Sequence, residues 1–286
     1  MKLTFFGGSF DPPHIGHEAV IKAATKELDS QVLVVMPTWR SPFKEGVCAP
    51  AKLRLEWAKK AWENDGVHVS NFEVDKERPV PSIESVLYLK QIYNPSHVYL
   101  IVGYDHLSTL NQWYRYEELS QEVEFVIATR EGKHAKGLKN LVINASISSS
   151  KLRQHMDASY LPEVVRAQVF EYYHTRIQMK KRLERIVALL DDKKAENIQV
   201  FDMEGKDYFV QSVIIATTLG ERHGMALLDE LKDQLKPEGE EFLHVDPASE
   251  WIVVDLGDML IHLMTPEYRS RYNLEEFLSD YEKARI

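Results

Sequence analysis

The sequence predicts an α/β protein in two parts: a doubly wound parallel sheet covered by helices, then a smaller α/β domain with a mixed sheet. Three observations predict it. Over the first 130 residues, short β-branched and aromatic runs alternate with longer amphipathic stretches, the rhythm of a parallel sheet with helical crossovers. A glycine pair, Gly7-Gly8, falls where an apolar run gives way to an amphipathic one, as at a strand-to-helix turn where backbone must approach a ligand. A length of 286 residues is too great for one small core and suits two domains of ordinary size.

In order along the first part, strands are predicted over 3–6, 31–36, 67–71, 97–102, 124–128 and 141–144, and helices over 15–28, 51–64, 83–92, 116–120, 149–156 and 162–173. Such a fold presents ligands to the carboxyl ends of its strands. A basic helical stretch over 175–192 then changes the rhythm without a Pro- or Gly-rich linker, placing a boundary near residue 177 and domains at 1–176 and 177–286. Beyond it, strands are predicted over 198–203, 210–217, 242–245, 251–256 and 260–264, with helices over 221–235 and 274–283. Asp255-Leu256-Gly257-Asp258 lies between two apolar runs and reads as a hairpin turn rather than a metal-binding carboxylate pair.

A 44% hydrophobic and 28% charged composition excludes a disordered or fibrous chain. The lone cysteine, Cys48, can form no internal disulfide, which points to a reducing compartment. The longest apolar runs, such as 32–36 and 213–216, fall far short of the roughly 20 residues of a membrane helix, and no signal peptide fits the N-terminus. A cytoplasmic protein with no membrane partner is expected. Residues 1–178 carry 21 basic and 21 acidic side chains, so the net charge of −9 lies entirely beyond residue 178. That acidic part is unsuited to gripping a nucleic-acid backbone but could be steered to a basic protein surface.

The segment from Gly7 to His17, GGSFDPPHIGH, carries the chemistry. Pro12 and Pro13 suit a turn and a helix start. His14 and His17 are three apart, which sets both imidazoles on one face at the positive end of a helix. Unpaired N–H groups, helix dipole and two donor rings together make a place for a triphosphate.

HIGH within this segment matches the HxGH signature of the adenylyltransferase superfamily, and residues 1–175 resemble bacterial nicotinate-nucleotide adenylyltransferase, a Rossmann-like nucleotidyltransferase. Gly103-Tyr104-Asp105, Trp113 and the run Ile147-Ser148-Ser149-Ser150-Lys151-Leu152-Arg153 carry further parts of that resemblance in order. It implies an ATP site built from Gly7, Gly8, Ser9, Phe10, His14, His17, Gly103, Asp105, Ser148, Ser149 and Arg153. The histidines, Lys44 and Arg153 would act on the phosphates, Asp105 would bind the ribose hydroxyls, and Ser82, Trp113 and Tyr114 would meet the acceptor. The chain departs from the family pattern at Phe43, where a histidine is usual, at Ser150 in place of threonine, and at 81–85, where PSIES replaces a YTxDT-like segment. The substrates implied are ATP and nicotinate mononucleotide, with a magnesium ion carried by the substrate and no protein ligand assigned to it. No protein nucleophile is required, because the acceptor phosphate is already ionised near neutral pH and can displace pyrophosphate in line.

After residue 180 the chain resembles the ribosomal silencing factor family. Asp207-Tyr208-Phe209, Ile214 to Thr218, Glu221-Arg222-His223, the run Trp251 to Asp258, Ile261-His262 and Tyr272 to Glu275 carry the match, with Thr218-Leu219-Gly220 departing from the family's usual glycine after the threonine. The resemblance implies docking on a protein of the large ribosomal subunit, blocking subunit joining. Trp251 and Tyr272 are the contact candidates, since aromatic residues anchor interfaces; His223 and His262 have no partners at metal-ligand spacing. Two other accounts stay open: an adenylyltransferase for another acceptor, such as nicotinamide mononucleotide or a phosphopantetheine-like phosphate, joined to a folding or dimerisation module, and an inactive first domain on a ribosome-binding protein. A homo-oligomer is also left open.

Overall fold

The computed structural model describes residues 1–40, 49–64, 66–130, 133–144 and 147–283. Their contacts gather into two compact units, Met1–Ile177 and Gln178–Ile286. In the first, strands β1 (Lys2–Gly8), β2 (Val32–Pro37), β3 (Val67–Val69), β4 (His97–Gly103), β5 (Glu124–Arg130) and β6 (Lys139–Ile143) form one sheet. All pairings are parallel, in the order β3-β2-β1-β4-β5-β6. The central strands are apolar on both faces because both are covered. Leu33 and Val35 of β2 face a cluster with Val20, Ile21 and Ala24 of helix α1 (Ile15–Glu27) and with Ala58 and Trp62 of α2 (Ala51–Trp62). Val34 and Met36 face the opposite cluster, with α4 (Ser82–Tyr93) supplying Ile83, Val86 and Leu89 and α5 (Tyr116–Glu122) supplying Leu119; α3 (Phe72–Asp75) precedes α4. Helix α6 is short, Ser149–Gln154.

Through residue 192 the predicted elements are present, with three main differences. The expected strand 67–71 stops at Val69, and the chain turns at Ser70, whose Oγ accepts the Phe72 N–H (3.3 Å), into α3; Ser and Asn divert backbone in this way. A nine-residue 3₁₀ segment, Tyr104–Gln112, follows β4 where no element is expected. The two helical stretches drawn over 162–173 and 175–192 are one 27-residue helix, α7 (Arg166–Asp192), since no Gly or Pro in that span interrupts it.

In the second unit, β7 (Glu196–Asp202), β8 (Ser212–Thr217), β9 (His244–Pro247), β10 (Trp251–Asp255) and β11 (Met259–Met264) form a mixed sheet in the order β7-β8-β11-β10-β9. Only β8 and β11 pair in parallel. Helix α8 (Glu221–Leu235) lays Leu227, Leu228, Leu231 and Leu235 on one face of it; α9 (Pro266–Tyr272), which the sequence does not signal, and α10 (Leu274–Lys283) complete the unit. Asp255 to Asp258 form the expected hairpin turn between β10 and β11. Gly257 takes φ +89°, and its N–H donates to Asp255 Oδ1 at 2.7 Å. Asp258 is held by Arg182 of α7, which also makes a two-pronged bond to Glu240 at 2.6 and 2.8 Å. The two carboxylates hold this arginine's pKa above its ordinary value.

His262 of β11 is buried and accepts the Trp251 indole N–H on Nδ1 (3.1 Å). Burial pushes its pKa down from 6.5 to about 4. The unfolded chain therefore takes up this proton before the folded one, and stability falls as pH drops from 6.5 through 4. Denaturant unfolding at pH 7 and pH 5 should show the second unit of the wild-type chain losing about 2 kcal/mol more than His262→Gln, which offers the indole a neutral acceptor. Equal losses would mean that His262 does not titrate in this range.

Candidate active site

The order β3-β2-β1-β4-β5-β6 reverses direction between β1 and β4. At such a point the connecting loops part to opposite faces and leave a crevice beyond the carboxyl ends. A cavity of about 790 Å³ lies there, walled by Gly7 and Gly8 from the end of β1, Gly103 from the end of β4, and the start of α6.

The first turn of α1 is capped by its own histidines. His14 is the N-cap residue, extended at φ −149°, ψ 166°, and its Nδ1 accepts the Gly16 N–H at 3.1 Å; His17 Nδ1 accepts the His14 N–H at 3.2 Å. Amide donors that a helix start would leave unpaired are thus satisfied by imidazole nitrogens instead of the usual serine or aspartate oxygen. An acceptor nitrogen carries no hydrogen, so in each neutral ring the N–H is on Nε2. The rings stack at 3.6 Å between centroids, 20° from parallel, and both line the cavity. Phe10 meets the His17 ring edge-on at 4.9 Å and packs on Phe6 and Trp62, so an apolar cluster fixes the ring from behind. Gly16 between them leaves room for this arrangement: a Cβ would fall 2.9 Å from the His14 ring, which would have to move.

The turn before this helix is held from below by three residues the sequence does not single out. Arg54 of α2, with no accessible surface, donates to the carbonyls of Ser9, Thr38 (2.9 Å), Trp39 (2.9 Å) and Ala49 (3.0 Å). It therefore ties the loops after β1 and β2 to the start of α2, although burial pulls its pKa below the usual arginine value. Asp11, also buried, accepts the Ala49 N–H (3.2 Å) and the hydroxyl of Tyr173 on α7. Arg54 shares the buried face of its helix with Ala51, Trp57 and Ala58, but helical spacing does not name the carbonyls it binds. Tyr173 lies so far along the chain from Asp11 that the pair leaves no local signal.

Most residues expected at the site line one cavity: Gly7, Gly8, Ser9, Phe10, His14, His17, Ser82, Gly103, Asp105, Trp113, Tyr114, Ser148 and Ser149. Ser148 caps α6, its Oγ accepting the Lys151 N–H. Ser149 is buried and donates its hydroxyl to the Pro12 carbonyl (3.1 Å). Arg153 is not on the cavity wall: its guanidinium donates to the Asp11 carbonyl and lies 3.6 Å from the Asp11 carboxylate. The residues of α6 thus reach the turn that carries the histidines. Lys44 and Phe43 lie outside the described residues. Asp105 is exposed (76%) and 3.7 Å from Lys133, whose ammonium also sits over the Tyr104 ring.

The family described as "Cytidylyltransferase-like" matches residues 5–155. A Campylobacter fetus protein named "Probable nicotinate-nucleotide adenylyltransferase" is 44% identical over 175 residues, 60% of this chain and 97% of its own length. The protein of the same name from a Nitratiruptor species is 42% identical over 61% of this chain and all of its own. The chain belongs to the nicotinate-nucleotide adenylyltransferase family. A solved Plasmodium falciparum nicotinic acid mononucleotide adenylyltransferase complexed with NaAD aligns at a TM-score of 0.47 and 18% identity, over 61% of this chain and 95% of that one. Residues 176–286 match a second family, "Ribosomal silencing factor during starvation".

In this adenylyltransferase the sequence also fails to mark Glu73 of α3, a cavity residue with 3% exposure. Its Oε1 accepts the Ser85 hydroxyl at 2.6 Å, and burial raises its pKa from 4.5 to about 7. The preceding segment reads as strand, which hides the residue. In the second unit, Trp251 is half-buried with its indole turned to His262, and Tyr272, 46% exposed, packs on it at 5.0 Å. Among the described residues no cluster of three His, Cys, Asp or Glu side chains could hold a metal, and no helix is long and apolar enough to cross a membrane.

Arg54→Met should leave four carbonyls without their donor, costing about 3 kcal/mol or more and lowering the unfolding temperature of the first unit by roughly 6–12 °C. Thermal melts within a degree of wild type would rule out Arg54 as the tie between the loops.

Proposed function

We propose that the first unit transfers the adenylyl group of ATP to the phosphate of nicotinate mononucleotide, releasing pyrophosphate and giving nicotinate adenine dinucleotide. The observation that carries this reading is the stacked histidine pair, each ring with Nδ1 engaged by backbone and its N–H on Nε2, on the wall of the cavity between β1 and β4. Such rings present Nε2 donors to phosphate oxygens, and the chemistry asks for no protein base. An acceptor oxygen of the mononucleotide phosphate bonds to the α-phosphorus while the bond to the β-phosphate bridging oxygen breaks, and pyrophosphate leaves with the electron pair. What the protein supplies is placement and preorganised donors for charge that develops at the α-phosphate. Magnesium, entering on the nucleotide, neutralises phosphate charge.

On this reading Gly7 to Phe10 give the triphosphate close backbone approach, and Gly103 and Asp105 take the ribose. Ser82, Trp113 and Tyr114 meet the nicotinate nucleotide. Ser148 belongs to the nucleotide wall. Ser149 and Arg153 act through the turn that presents His14, because their bonds run to Pro12 and Asp11. Lys44 is carried by the resemblance as the phosphate-reaching lysine. His17→Ala should lower kcat by about 100-fold or more with an unchanged circular dichroism spectrum; a folded variant with wild-type turnover removes the ring from the mechanism. Pyrophosphate release should be faster with nicotinate mononucleotide than with its amide or with a phosphopantetheine-like phosphate.

The second unit, on the match of residues 176–286, is proposed to bind the large ribosomal subunit and oppose subunit joining. Its acidic balance suits a basic ribosomal protein, and Tyr272 is the more exposed of the two aromatic candidates, Trp251 standing behind it. The full chain should co-sediment with isolated large subunits in moderate salt and not with small ones; pelleting with neither would end this half of the proposal.

A further inference from the structure

Two acidic side chains are on the described cavity wall, and their surroundings differ. Asp105 is open to water beside Lys133, whereas Glu73 is stripped of it. Glu73 is bonded to Ser85, which lies one turn beyond Ser82 on α4, and residues three apart on a helix are about 5–6 Å apart at Cβ. Glu73 therefore sits within about one helical turn of Ser82, on the stretch of wall that Pro79, Val80 and Pro81 share and that the adenylyltransferase reading gives to the acceptor.

Few charges face it. Glu84 on α4 reaches it and is itself paired with Arg78 at 2.7 Å. On α3, Asp75 is bonded to Asn71, and Lys76 lies over the Phe72 ring. The adjoining β2 has no titratable side chain, and the buried arginine of the adjoining α2, Arg54, is engaged with carbonyls. No described cation is paired with Glu73, so its carboxyl alternates near neutrality between an acid that can donate and an anion that only accepts.

We propose that Glu73 sets the choice between acid and amide at the acceptor's pyridine ring: as a neutral carboxyl it tolerates and can donate to a ring carboxylate, and as an anion it repels that carboxylate and accepts from a ring carboxamide. This rests on the adenylyltransferase reading and adds a specificity-determining residue to it. The wild type then favours nicotinate mononucleotide most at low pH, because the carboxyl is protonated below about 7 and like charges in a water-poor site oppose binding.

The test compares kcat/KM for nicotinate and nicotinamide mononucleotides from about pH 6 to 8.5, a window that brackets the Glu73 titration, by pyrophosphate release with saturating ATP and magnesium. The ratio of the two cancels ionisation of the phosphate they share. Its expected course is a fall of about tenfold or more in wild type, and a flat line in Glu73→Gln, which is permanently neutral. Ser85→Ala, which removes the hydrogen bond favouring the anion, should move the wild-type midpoint to higher pH. A flat ratio in wild type, or the same slope in wild type and Glu73→Gln, overturns the proposal while leaving the adenylyltransferase reading standing. If Glu73→Gln does not fold, an unmoved midpoint in Ser85→Ala overturns it. Release with neither acceptor at any pH ends both.

Discussion

A parallel sheet delivers its strands to one edge and then offers no further main-chain partners to the loops that leave it. In this protein that deficit is met by one buried cation. Arg54 reaches carbonyls on the loops after β1 and β2 and at the start of α2, and Asp11 binds the same neighbourhood from the other side through Ala49, Tyr173 and Arg153. Buried charges of this kind are costly unless fully hydrogen-bonded; here each bond fixes a piece of backbone on which the site stands. The histidine pair, the glycine turn and the cleft width all follow from loops that cannot drift.

The same economy of partners governs the first turn of α1. An ordinary cap would use an oxygen side chain and leave two imidazoles free to rotate. Capping with imidazole nitrogens satisfies the helix and fixes ring orientation in one arrangement, which is the preorganisation that electrostatic catalysis requires. The apolar contacts of Phe10 and Trp62 add stiffness without adding charge.

Where the sequence is legible, the signal is local. The central strands of the first sheet stand out because two-sided burial demands continuous apolar runs rich in β-branched residues, as in Val32 to Val35. The hairpin at Gly257 is legible because a positive φ there favours glycine. GGSFDPPHIGH announces a strand-to-helix turn, and residues scattered as far apart as Ser82 and Ser148 prove to share one cavity. What escapes is long-range or masked by local pattern. Arg54 sits in a stretch rich in exposed lysines, and its solvent-free contacts are set by loops the helix pattern says nothing about. Tyr173 belongs to the site only because α7 passes it. Glu73 is hidden by a β-like stretch that breaks after three residues. Arg153 is marked as a phosphate contact by its motif, yet its bonds run to Asp11, because a rotamer is decided by neighbours the spacing does not name.

Gly16 has no side chain, yet it governs the chemistry of the residue two places before it. The hydrogen bond that settles which nitrogen of His14 bears the hydrogen comes from the Gly16 amide, and only a missing carbon lets the imidazole lie close enough to receive it. Even a methyl group at that position would push the ring off its donor. The proton would then be free to reside on either nitrogen, and a substitution at an apparently inert position would alter the tautomer of its neighbour.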